Sequence, residues 1–450
     1  MAQASSPVAI VALKSAPVSA GFVSESRRFD HWHTRQNGRV TTLALPESLA
    51  PVLEAVGRVS EPYEGVFLVG GTVRDLLLGE PSFDVDIVVE GDAIALARAL
   101  AEALGGRVRT HDKFGTAVVL YGDKEWVDLA AARTESYAGP ATLPSVEHAS
   151  LEEDLFRRDF TINAMAVSLK GEDLGRLVDP FEGKRDLEAA RLRILHEGSF
   201  VDDPTRIFRA IRYENRHGFR MDEDTVGLAR AAIEQGLVGR LSGARLREEL
   251  TALLDERGVE HSMERLGELA VDKAINPGLT ADERAARLVE RLRELDDRYR
   301  LQVPAWRLGL AALARELSGA ELSGLLAWLK VRKRDAQHIA AAVTLGPGIA
   351  DRLGEGSMAP ADVVALAEPH APDAPLFALG LADLPQLHEY FERLGGIRLE
   401  INGTDVAELG LAESPRVGEI LVELRRRKLN GELDGRESEL AAARELIGRV

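Results

Sequence analysis

The stretch VFLVGGTVRDLLLGEPSFDVDIVV, residues 66–89, decides the fold of this chain. Its first four residues are apolar and are typical of a short buried strand. A helix is predicted directly after the paired glycines, with Thr72 as its N-cap and Gly79 as its stop. Residues 85–89 predict a second strand. Strand, helix and strand within so few residues indicate a small α/β unit.

The same alternation extends outward to about residue 178. Helices are predicted at residues 51–59 and 93–104, and strands at residues 116–121 and 125–129. Beyond this region strand signals almost vanish, and helical stretches rich in Leu, Ala, Arg and Glu continue to the end. The predicted fold class is therefore α+β, with a mixed sheet and helices in an N-terminal head, followed by an all-helical remainder.

The length of the chain implies several domains. With 450 residues it is too long for one typical core. Breaks rich in Gly and Pro are predicted at residues 276–278, 346–348 and 371–372. We expect a disordered extension (1–44), a head (45–178), a neck (179–275), a helical body (276–395) and a helical tail (396–450).

The composition excludes several kinds of chemistry. Cysteine is absent, so the chain has no disulfide, thiolate metal site or cysteine nucleophile. No apolar run approaches roughly 18 residues, so we expect no membrane span and a cytoplasmic location. The formal net charge of −17 argues against a protein that coats nucleic acid, because phosphate binding needs clustered Lys and Arg. Basic clusters at 157–158, 330–334 and 425–428 are each more typical of a solvated helix face than of a binding site.

The first candidate for chemistry is GGTVRD, residues 70–75, at the predicted turn from strand to helix. Gly70 and Gly71 let backbone N–H groups approach a phosphate, and the helix N-terminus adds positive potential. Arg74 is a candidate for holding this loop or contacting phosphate. The pattern matches neither the GxxxxGK[ST] loop nor the GxGxxG fingerprint, and by itself an ordinary tight turn explains it equally well.

The second candidate is the carboxylate pair Asp84 and Asp86. Residues two apart in a strand point to the same face, so both carboxylates face one side while Val85 faces the core. Hard divalent cations with oxygen ligands relieve the repulsion between such groups. Two ions about 4 Å apart activate an attacking hydroxyl and stabilise a leaving pyrophosphate. A lone Asp-x-Asp is more often a solvated turn, but its place after the glycine pair favours a metal site.

Asp128 is an acid in an otherwise apolar predicted strand. If this strand neighbours the Asp84 and Asp86 pair, Asp128 is a candidate third metal ligand, or the base near a primer 3′-OH. If it does not, the residue is an ordinary charge on an edge strand. The sequence leaves these two interpretations open.

The segment RRDFTINA, residues 157–164, combines adjacent arginines with an Asp and an Asn. Arginine suits a triphosphate because its guanidinium offers a forked set of donors. Asp159 and Asn163 are within reach of a ribose hydroxyl in this arrangement. The alternative is a structural network of salt bridges.

The segment DPTR, residues 203–206, begins a basic helix that continues through Arg209 and Arg212, and all four charged residues are nucleotide-binding candidates. Asp203 and Arg206 are expected to share a helix face at i and i+3. Asp accepts hydrogen bonds and Arg donates them, so one fixed pair can match the pairing edges of cytosine and adenine. Uracil and guanine present the reverse pattern and would leave polar groups unpaired, at about 1–3 kcal/mol each. By itself the pair is more often a surface ion pair.

These segments, in this order, resemble the class II tRNA nucleotidyltransferases, also called CCA-adding enzymes, and the related bacterial poly(A) polymerases. The resemblance is strong over residues 66–254 and includes ARTESY at 132–137, EDL at 153–155 and DPFEG at 179–183. It implies that the head has a polymerase-β-like nucleotidyltransferase fold. Residues 401–421 are similar to the tRNA-binding C-terminal part of the family.

The resemblance implies which residues hold metal and triphosphate. Asp84 and Asp86 are the implied metal ligands. Asp128 stays a catalytic candidate on its position in the predicted strand alone. Two Mg²⁺ ions are the expected cofactors, because hard oxygen ligands and a triphosphate suit this ion. The residues implied to hold the triphosphate or its loop are Gly70, Gly71, Arg74 and Arg158.

The resemblance also implies how sugar and base are recognised. Asp159 and Asn163 resemble the pair that prefers NTP to dNTP. Asp203 and Arg206 resemble the amino-acid template for the incoming base. The family's template motif starts with Glu-Asp, whereas this chain has Asp202 before Asp203, so no role follows for Asp202.

Two further segments are implied to support the template. Arg245 and Glu249 match a helix motif that props up the template helix. Residues 133–146 are similar to a mobile element that helps switch specificity from C to A.

The leading functional hypothesis is addition of CCA, or part of it, to the 3′ end of tRNA from CTP and ATP, with release of pyrophosphate by a two-metal mechanism. The partners are then tRNA, CTP and ATP, without a membrane. An A-adding or CC-adding specialist and a poly(A) polymerase remain open. A non-catalytic RNA-binding protein would lack Asp84 or Asp86, and a small-molecule nucleotidyltransferase would not need the helical tail.

Overall fold

The computed structural model describes residues 41–80, 85–112, 115–123, 125–411 and 414–448. Asp84 and nearly all of the expected extension lie outside these described residues. Pairing with the head begins earlier than the sequence predicts. Thr42 forms a β-bridge with Arg176, and the Leu43 N–H donates to the Gly175 carbonyl at 2.8 Å.

The described residues form eleven strands. Their bounds are β1 (Gly65–Val69), β2 (Asp86–Glu90), β3 (Arg107–His111), β4 (Thr116–Tyr121), β5 (Glu125–Ala131), β6 (Arg133–Ser136), β7 (Ser145–His148), β8 (Ala166–Ser168), β9 (Leu177–Val178), β10 (Arg191–Leu192) and β11 (Arg220–Met221). Within the described ranges, seven of them form one sheet in the order β3-β4-β5-β2-β1-β8-β9, while β6 pairs with β7 and β10 with β11.

The central sheet is mixed, as predicted. β1 runs antiparallel to both β2 and β8, whereas β2 and β5 are parallel neighbours. Their register places Asp86 opposite Asp128. The strand carrying Asp128 therefore lies beside the strand of the metal motif, which is the condition under which Asp128 is a catalytic candidate.

Helices surround the sheet and build the rest of the described chain. Their bounds are α1 (Ala50–Val59), α2 (Gly71–Leu78), α3 (Ala93–Ala103), α4 (Leu151–Phe156), α5 (Gly183–Glu188), α6 (Ser199–Asp202), α7 (Thr205–His217), α8 (Glu223–Glu234), α9 (Gly243–Leu254), α10 (Val259–Glu268), α11 (Val271–Ile275), α12 (Glu283–Tyr299), α13 (Ala305–Leu313), α14 (Gly319–Trp328), α15 (Lys333–Gly354), α16 (Pro360–Ala367), α17 (Asp373–Leu381), α18 (Pro385–Glu392), α19 (Gly403–Glu408), α20 (Pro415–Leu429) and α21 (Gly435–Gly448). The α+β fold class is confirmed.

The start of α2 differs from the prediction in one respect. The N-cap is Gly70, with φ 71°, and the helix begins at Gly71, so the prediction of Thr72 as N-cap is wrong. Gly79 ends the helix, as predicted, and the structure shows it in the left-handed conformation with φ 73°. A glycine at position 70 adopts positive φ without the steric cost that a Cβ carries, so the N-cap lies two residues earlier than the predicted Thr72.

The break predicted at residues 346–348 is wrong, because α15 runs through Pro347. A Cβ added at Gly346 would meet the Phe377 ring at 2.9 Å. The glycine therefore permits close packing of α15 against α17 and does not end the helix. Ile339, buried in the same helix, belongs to the main core.

One apolar core extends from the head through the helices of the body, and Leu68 and Leu292 are both fully covered in it. The tail has a separate apolar cluster, built around Val406 and Leu424. In the described part of the chain, no helix is long and apolar enough to cross a membrane.

Candidate active site

The glycine turn between β1 and α2 forms one wall of the candidate site. A Cβ at Gly70 would lie 2.8 Å from Nη1 of Arg158. Gly71 faces the Arg74 guanidinium, whose Nη2 lies 3.4 Å from the position of a Cβ there. The two glycines thus let two guanidiniums approach the backbone at a helix N-terminus, which is a favourable environment for phosphate.

The carboxylates form a second wall, at the edge shared by β2 and β5. Asp86 begins β2, Asp128 lies opposite it, and Val85 packs into the core as predicted. Among the described residues, no group of three or more His, Asp or Glu side chains is placed to hold a metal ion. Asp84 lies outside those residues, so its assignment as a ligand stays a prediction. The oxygen donors of neighbouring aspartates fit a hard divalent cation.

The Asp154 carboxylate anchors both arginines of the RRD segment. Its side chain is fully buried and accepts from Nη2 of Arg157 at 2.6 Å and from Nη2 of Arg158 at 2.9 Å. It also accepts from the backbone N–H of Arg133 at 3.3 Å. Burial by itself would raise the pKa of Asp154, but the charges of Arg158 and Arg157 and their hydrogen bonds outweigh burial and lower it.

Arg157 and Arg158 then diverge. Arg157 donates from Nη1 to Glu135 at 2.9 Å and from Nε to the Arg133 carbonyl at 2.9 Å. It therefore belongs to a structural network, which was the alternative interpretation of this segment. Arg158 is the arginine that reaches the Gly70 turn.

Asp159 and Asn163 form a buried pair, held from both sides. Asn163 Nδ2 donates to Asp159 Oδ1 at 2.9 Å, while Arg74 Nη1 donates to Asn163 Oδ1 at 2.8 Å. Arg209 Nε donates to Asp159 Oδ2 at 2.8 Å. Burial would raise the pKa of Asp159, yet the charge of Arg209 and the hydrogen bonds from Asn163, Arg209 and the Phe160 N–H lower it. Asp159 is therefore an ionised acceptor in a nearly dry environment.

Asp203 does not share a helix face with Arg206, contrary to the sequence prediction. α7 begins at Thr205, and Asp203 precedes it in extended backbone with φ −138°. Its Oδ1 accepts from the Thr205 N–H at 3.0 Å, the Thr205 hydroxyl at 2.6 Å and Arg245 Nη2 at 2.8 Å. Pro204 between Asp203 and the helix disfavours the helical conformation at Asp203, which explains the difference.

Arg206 is buried and held by two acceptors. Its Nη1 donates to Ser199 Oγ at 2.6 Å and its Nη2 donates to the Arg157 carbonyl at 2.7 Å. The Arg206 side chain therefore lies between α6 and the RRD segment, close to Arg158, a candidate for binding the triphosphate.

Arg209 and Arg212 lie on α7, but they face different carboxylates. Arg209 contacts Asp159, as described above, and this carboxylate raises the pKa of the guanidinium. Arg212 Nη1 lies 3.8 Å from Glu249 on α9, and its Nε lies 3.9 Å from Glu256. Burial raises the pKa of Glu249 despite these cations. The contacts connect Arg212 to the supporting helix rather than to the Asp159 pair.

The predicted mobile element is the β6–β7 hairpin and the loop between its strands. Tyr137 donates its hydroxyl to Glu135 at 2.8 Å, and burial followed by this partner raises the pKa of Tyr137. Arg245 Nη1 donates to the Ala141 carbonyl at 3.2 Å while its Nη2 binds Asp203. Arg245 thus joins the hairpin loop to a candidate template residue.

Three residues at this site are not among the candidates that the sequence predicts. Ser199 holds Arg206, and Tyr213 accepts from Arg209 Nη2 at 3.1 Å. The His196 ring lies 5.2 Å from the Phe156 ring, centroid to centroid, and burial and then the Arg206 charge lower the pKa of His196 to about 4. Tyr213 stands four residues after Arg209, one helical turn away, which is the spacing that predicts their contact. The partners of Ser199 and His196 carry no such local signal.

The described groups offer the kinds of donor and acceptor that a nucleotide needs. A glycine turn with two guanidiniums, paired strand carboxylates and a buried acid–amide pair lie on adjoining elements of the head. Such donors and acceptors match a triphosphate, a divalent cation and a sugar hydroxyl.

Comparison with known proteins agrees with the nucleotide chemistry of these residues. Residues 66–193 match the Poly A polymerase head domain. The chain is 34% identical to the A-adding tRNA nucleotidyltransferase of Geobacter sulfurreducens over 414 residues, covering 89% of this chain and 47% of that protein. It therefore spans about half the length of that relative. It is 35% identical to the A-adding tRNA nucleotidyltransferase of Halalkalibacterium halodurans over 390 residues, covering 85% and 88% of the two chains.

The fold has solved counterparts. The Thermotoga maritima CCA-adding enzyme complexed with tRNA aligns with a TM-score of 0.76 at 30% identity. The alignment covers 90% of this chain and 96% of that one. The similarity therefore includes the helical half as well as the head.

Proposed function

The chain belongs to the tRNA nucleotidyltransferase family, and from this premise we propose that it adds nucleotides to the 3′ end of tRNA. CTP and ATP are the proposed substrates and pyrophosphate is the second product. The observation that carries the proposal is the joint presence of the head, with its glycine turn and paired carboxylates, and a helical half that aligns with a tRNA-bound enzyme. A tRNA substrate also implies a cytoplasmic location.

We propose Asp84 and Asp86 as the residues that hold Mg²⁺, with Asp128 as a third carboxylate beside them. The support is the parallel pairing that puts Asp86 opposite Asp128, together with the preference of this ion for oxygen donors. Two bound ions would activate the primer 3′-OH and stabilise the leaving pyrophosphate. The chain's own residues supply orientation.

The triphosphate is proposed to bind between the glycine turn and the arginines. Arg158 lies against Gly70, and Arg74 lies at the start of α2. Their charges favour an anion at this helix N-terminus. Asp154 holds Arg158 in place, so the guanidinium is already oriented before the substrate arrives.

Sugar and base are proposed to be read by two neighbouring pairs. The buried Asp159 and Asn163 pair offers polar groups to the ribose hydroxyls. Asp203 and Arg206 offer an acceptor and a donor fork to the pairing edge of the base. Selection of C and A without a nucleic-acid template then follows from fixed side chains, whose orientation is set by Ser199 and Arg245.

A narrower candidate is addition of the terminal A alone. Two relatives that match most of this chain, those of Geobacter sulfurreducens and Halalkalibacterium halodurans, are named A-adding enzymes. The aligned Thermotoga maritima structure is instead named a CCA-adding enzyme. The shared site chemistry serves either activity.

The deciding experiment uses three tRNA transcripts, one lacking CCA, one ending in CC and one complete. Each is incubated with the protein, Mg²⁺ and single labelled nucleotides, and then with CTP plus ATP. Extension of both truncated transcripts to CCA, followed by a stop, establishes full CCA addition. Extension of the CC transcript alone establishes A addition, and a ladder of A beyond CCA indicates poly(A) synthesis. Absence of extension on all three refutes the proposed function.

A further inference from the structure

Tyr213 touches three arginines of the site with one aromatic ring. The guanidinium carbons of Arg74, Arg209 and Arg212 lie 5.2, 5.7 and 6.0 Å from the ring centroid. The phenol oxygen also accepts from Arg209 Nη2 at 3.1 Å. An aromatic face attracts cations, so the Tyr213 ring stabilises three nearby guanidiniums that would otherwise repel each other.

Two of these arginines hydrogen-bond to Asp159 and Asn163, the pair proposed to recognise the ribose. Arg74 donates to Asn163, Arg209 donates to Asp159, and Asn163 donates to Asp159. Together with Tyr213, these contacts form a closed loop of five residues: Arg74, Asn163, Asp159, Arg209 and Tyr213. Displacement of one guanidinium displaces the acid or the amide that it holds.

The aromatic ring of Tyr213 is held in place by burial and by Phe160. The side chain is 6% exposed, and its ring meets Phe160 edge to face, with centroids 5.8 Å apart and an interplanar angle of 80°. Phe160 is fully buried and directly follows Asp159 in sequence. Tyr213 is thus connected to Asp159 from two directions, through Arg209 and through Phe160.

We propose that Tyr213 is a positioning residue that sets the geometry of Asp159 and Asn163, and thereby the preference for ribonucleotides over deoxyribonucleotides. It acts through Arg74 and Arg209 without contacting the substrate. The inference deepens the proposed function, on which it rests for the identity of the substrate. A side chain that only stabilised α7 would affect both kinds of nucleotide equally.

The test compares binding of ATP and dATP by calorimetry, with Mg²⁺ present and tRNA absent. The measured quantity is the ratio of the dATP to the ATP dissociation constant. Tyr213→Leu removes the aromatic face and should lower this ratio about tenfold, the effect of a misplaced buried polar partner. Tyr213→Phe keeps the face and loses one hydrogen bond, and should lower the ratio about threefold.

Phe208→Leu is the matched control, because Phe208 is a fully buried aromatic residue on the same helix. It should reduce stability and leave the ratio unchanged. An unchanged ratio in the Tyr213 variants, or an equal change in the control, would overturn the proposal. If Tyr213→Leu does not fold, Tyr213→Phe decides alone by the same criterion.

Failure of the proposed role of Tyr213 can be distinguished from failure of the proposed function. A wild-type protein that prefers ATP to dATP but extends no tRNA refutes the proposed function and leaves the role of Tyr213 intact. A wild-type protein that extends tRNA but binds both nucleotides equally refutes the role of Tyr213 alone.

Discussion

Replacement of Asp154 by asparagine should destabilise the head and weaken nucleotide binding together. The fully buried carboxylate accepts from Arg157 and Arg158 and from the Arg133 N–H. Asparagine keeps the size of the side chain but removes the counter-charge that Arg158 contacts and one of the two that Arg157 contacts. Removal of one partner of a buried ion pair costs about 3–5 kcal/mol. Because both arginines retain some solvent contact, we expect about 3 kcal/mol of lost unfolding free energy at pH 7.

The sign of the pH dependence follows from the lowered pKa of Asp154. A carboxyl group whose pKa is lower in the folded state stabilises the fold above its unfolded pKa, here 3.8. This contribution is lost as the pH falls from 3.8 toward the lowered folded value. The difference in unfolding free energy between wild type and Asp154→Asn should therefore be constant near neutral pH and shrink below about pH 4.

The assay is urea unfolding, followed by circular dichroism, at several pH values. Asp173→Asn is the matched control, because Asp173 forms an exposed pair with Arg176 in the same head. That change should alter stability little. Equal unfolding midpoints for Asp154→Asn and Asp173→Asn would refute the reasoning. A KM for ATP that rises only in Asp154→Asn would show that Arg158 has lost its orientation.

Further outcomes are expected at the other site residues. Asp84→Ala should lower the rate of nucleotide transfer at least about 10²-fold while tRNA binding in gel shifts persists. Full-rate transfer by this variant would remove Asp84 from the metal site. EDTA should abolish transfer by the wild-type protein until Mg²⁺ is restored. Arg206→Ala should relax base choice more than it weakens triphosphate binding, as measured by misincorporation of UTP and GTP; unchanged selectivity would contradict the template assignment. Gly70→Ala should raise the KM for nucleotide, because a residue with a Cβ rarely adopts φ 71° with ψ −135°, at a cost of about 1–3 kcal/mol, and because the new Cβ meets Arg158. Gly79→Ala, whose Cβ meets nothing within 4 Å, should strain the left-handed backbone alone. Arg245→Gln should impair selectivity with little loss of stability, and an effect on stability alone would limit Arg245 to a packing role.

The fold could be predicted to a large extent from local patterns. The apolar run before Gly70, the helix stop at Gly79 and the loss of strand signals after the head all appear as expected. The errors arise where packing outweighs a local preference. Gly346 and Pro347 indicate a break, but the close approach of Phe377 keeps them within α15.

The sequence by itself determined the family and most of the candidate residues, because residue type and spacing along one strand or helix are local properties. The tertiary structure decided which of these residues contact each other. Arg74 and Asn163 are 89 positions apart, and Asp159 and Arg209 are 50 apart. Spacing does not predict such contacts. The first depends on how α2 packs against residues 161–163 within the head, and the second depends on how α7 packs against the head. The separation of Arg157 from Arg158 follows from packing within the head. The contact of Tyr213 with Arg74 follows from the packing of α7 against the head, whereas its contact with Arg209 follows from their spacing on one helix.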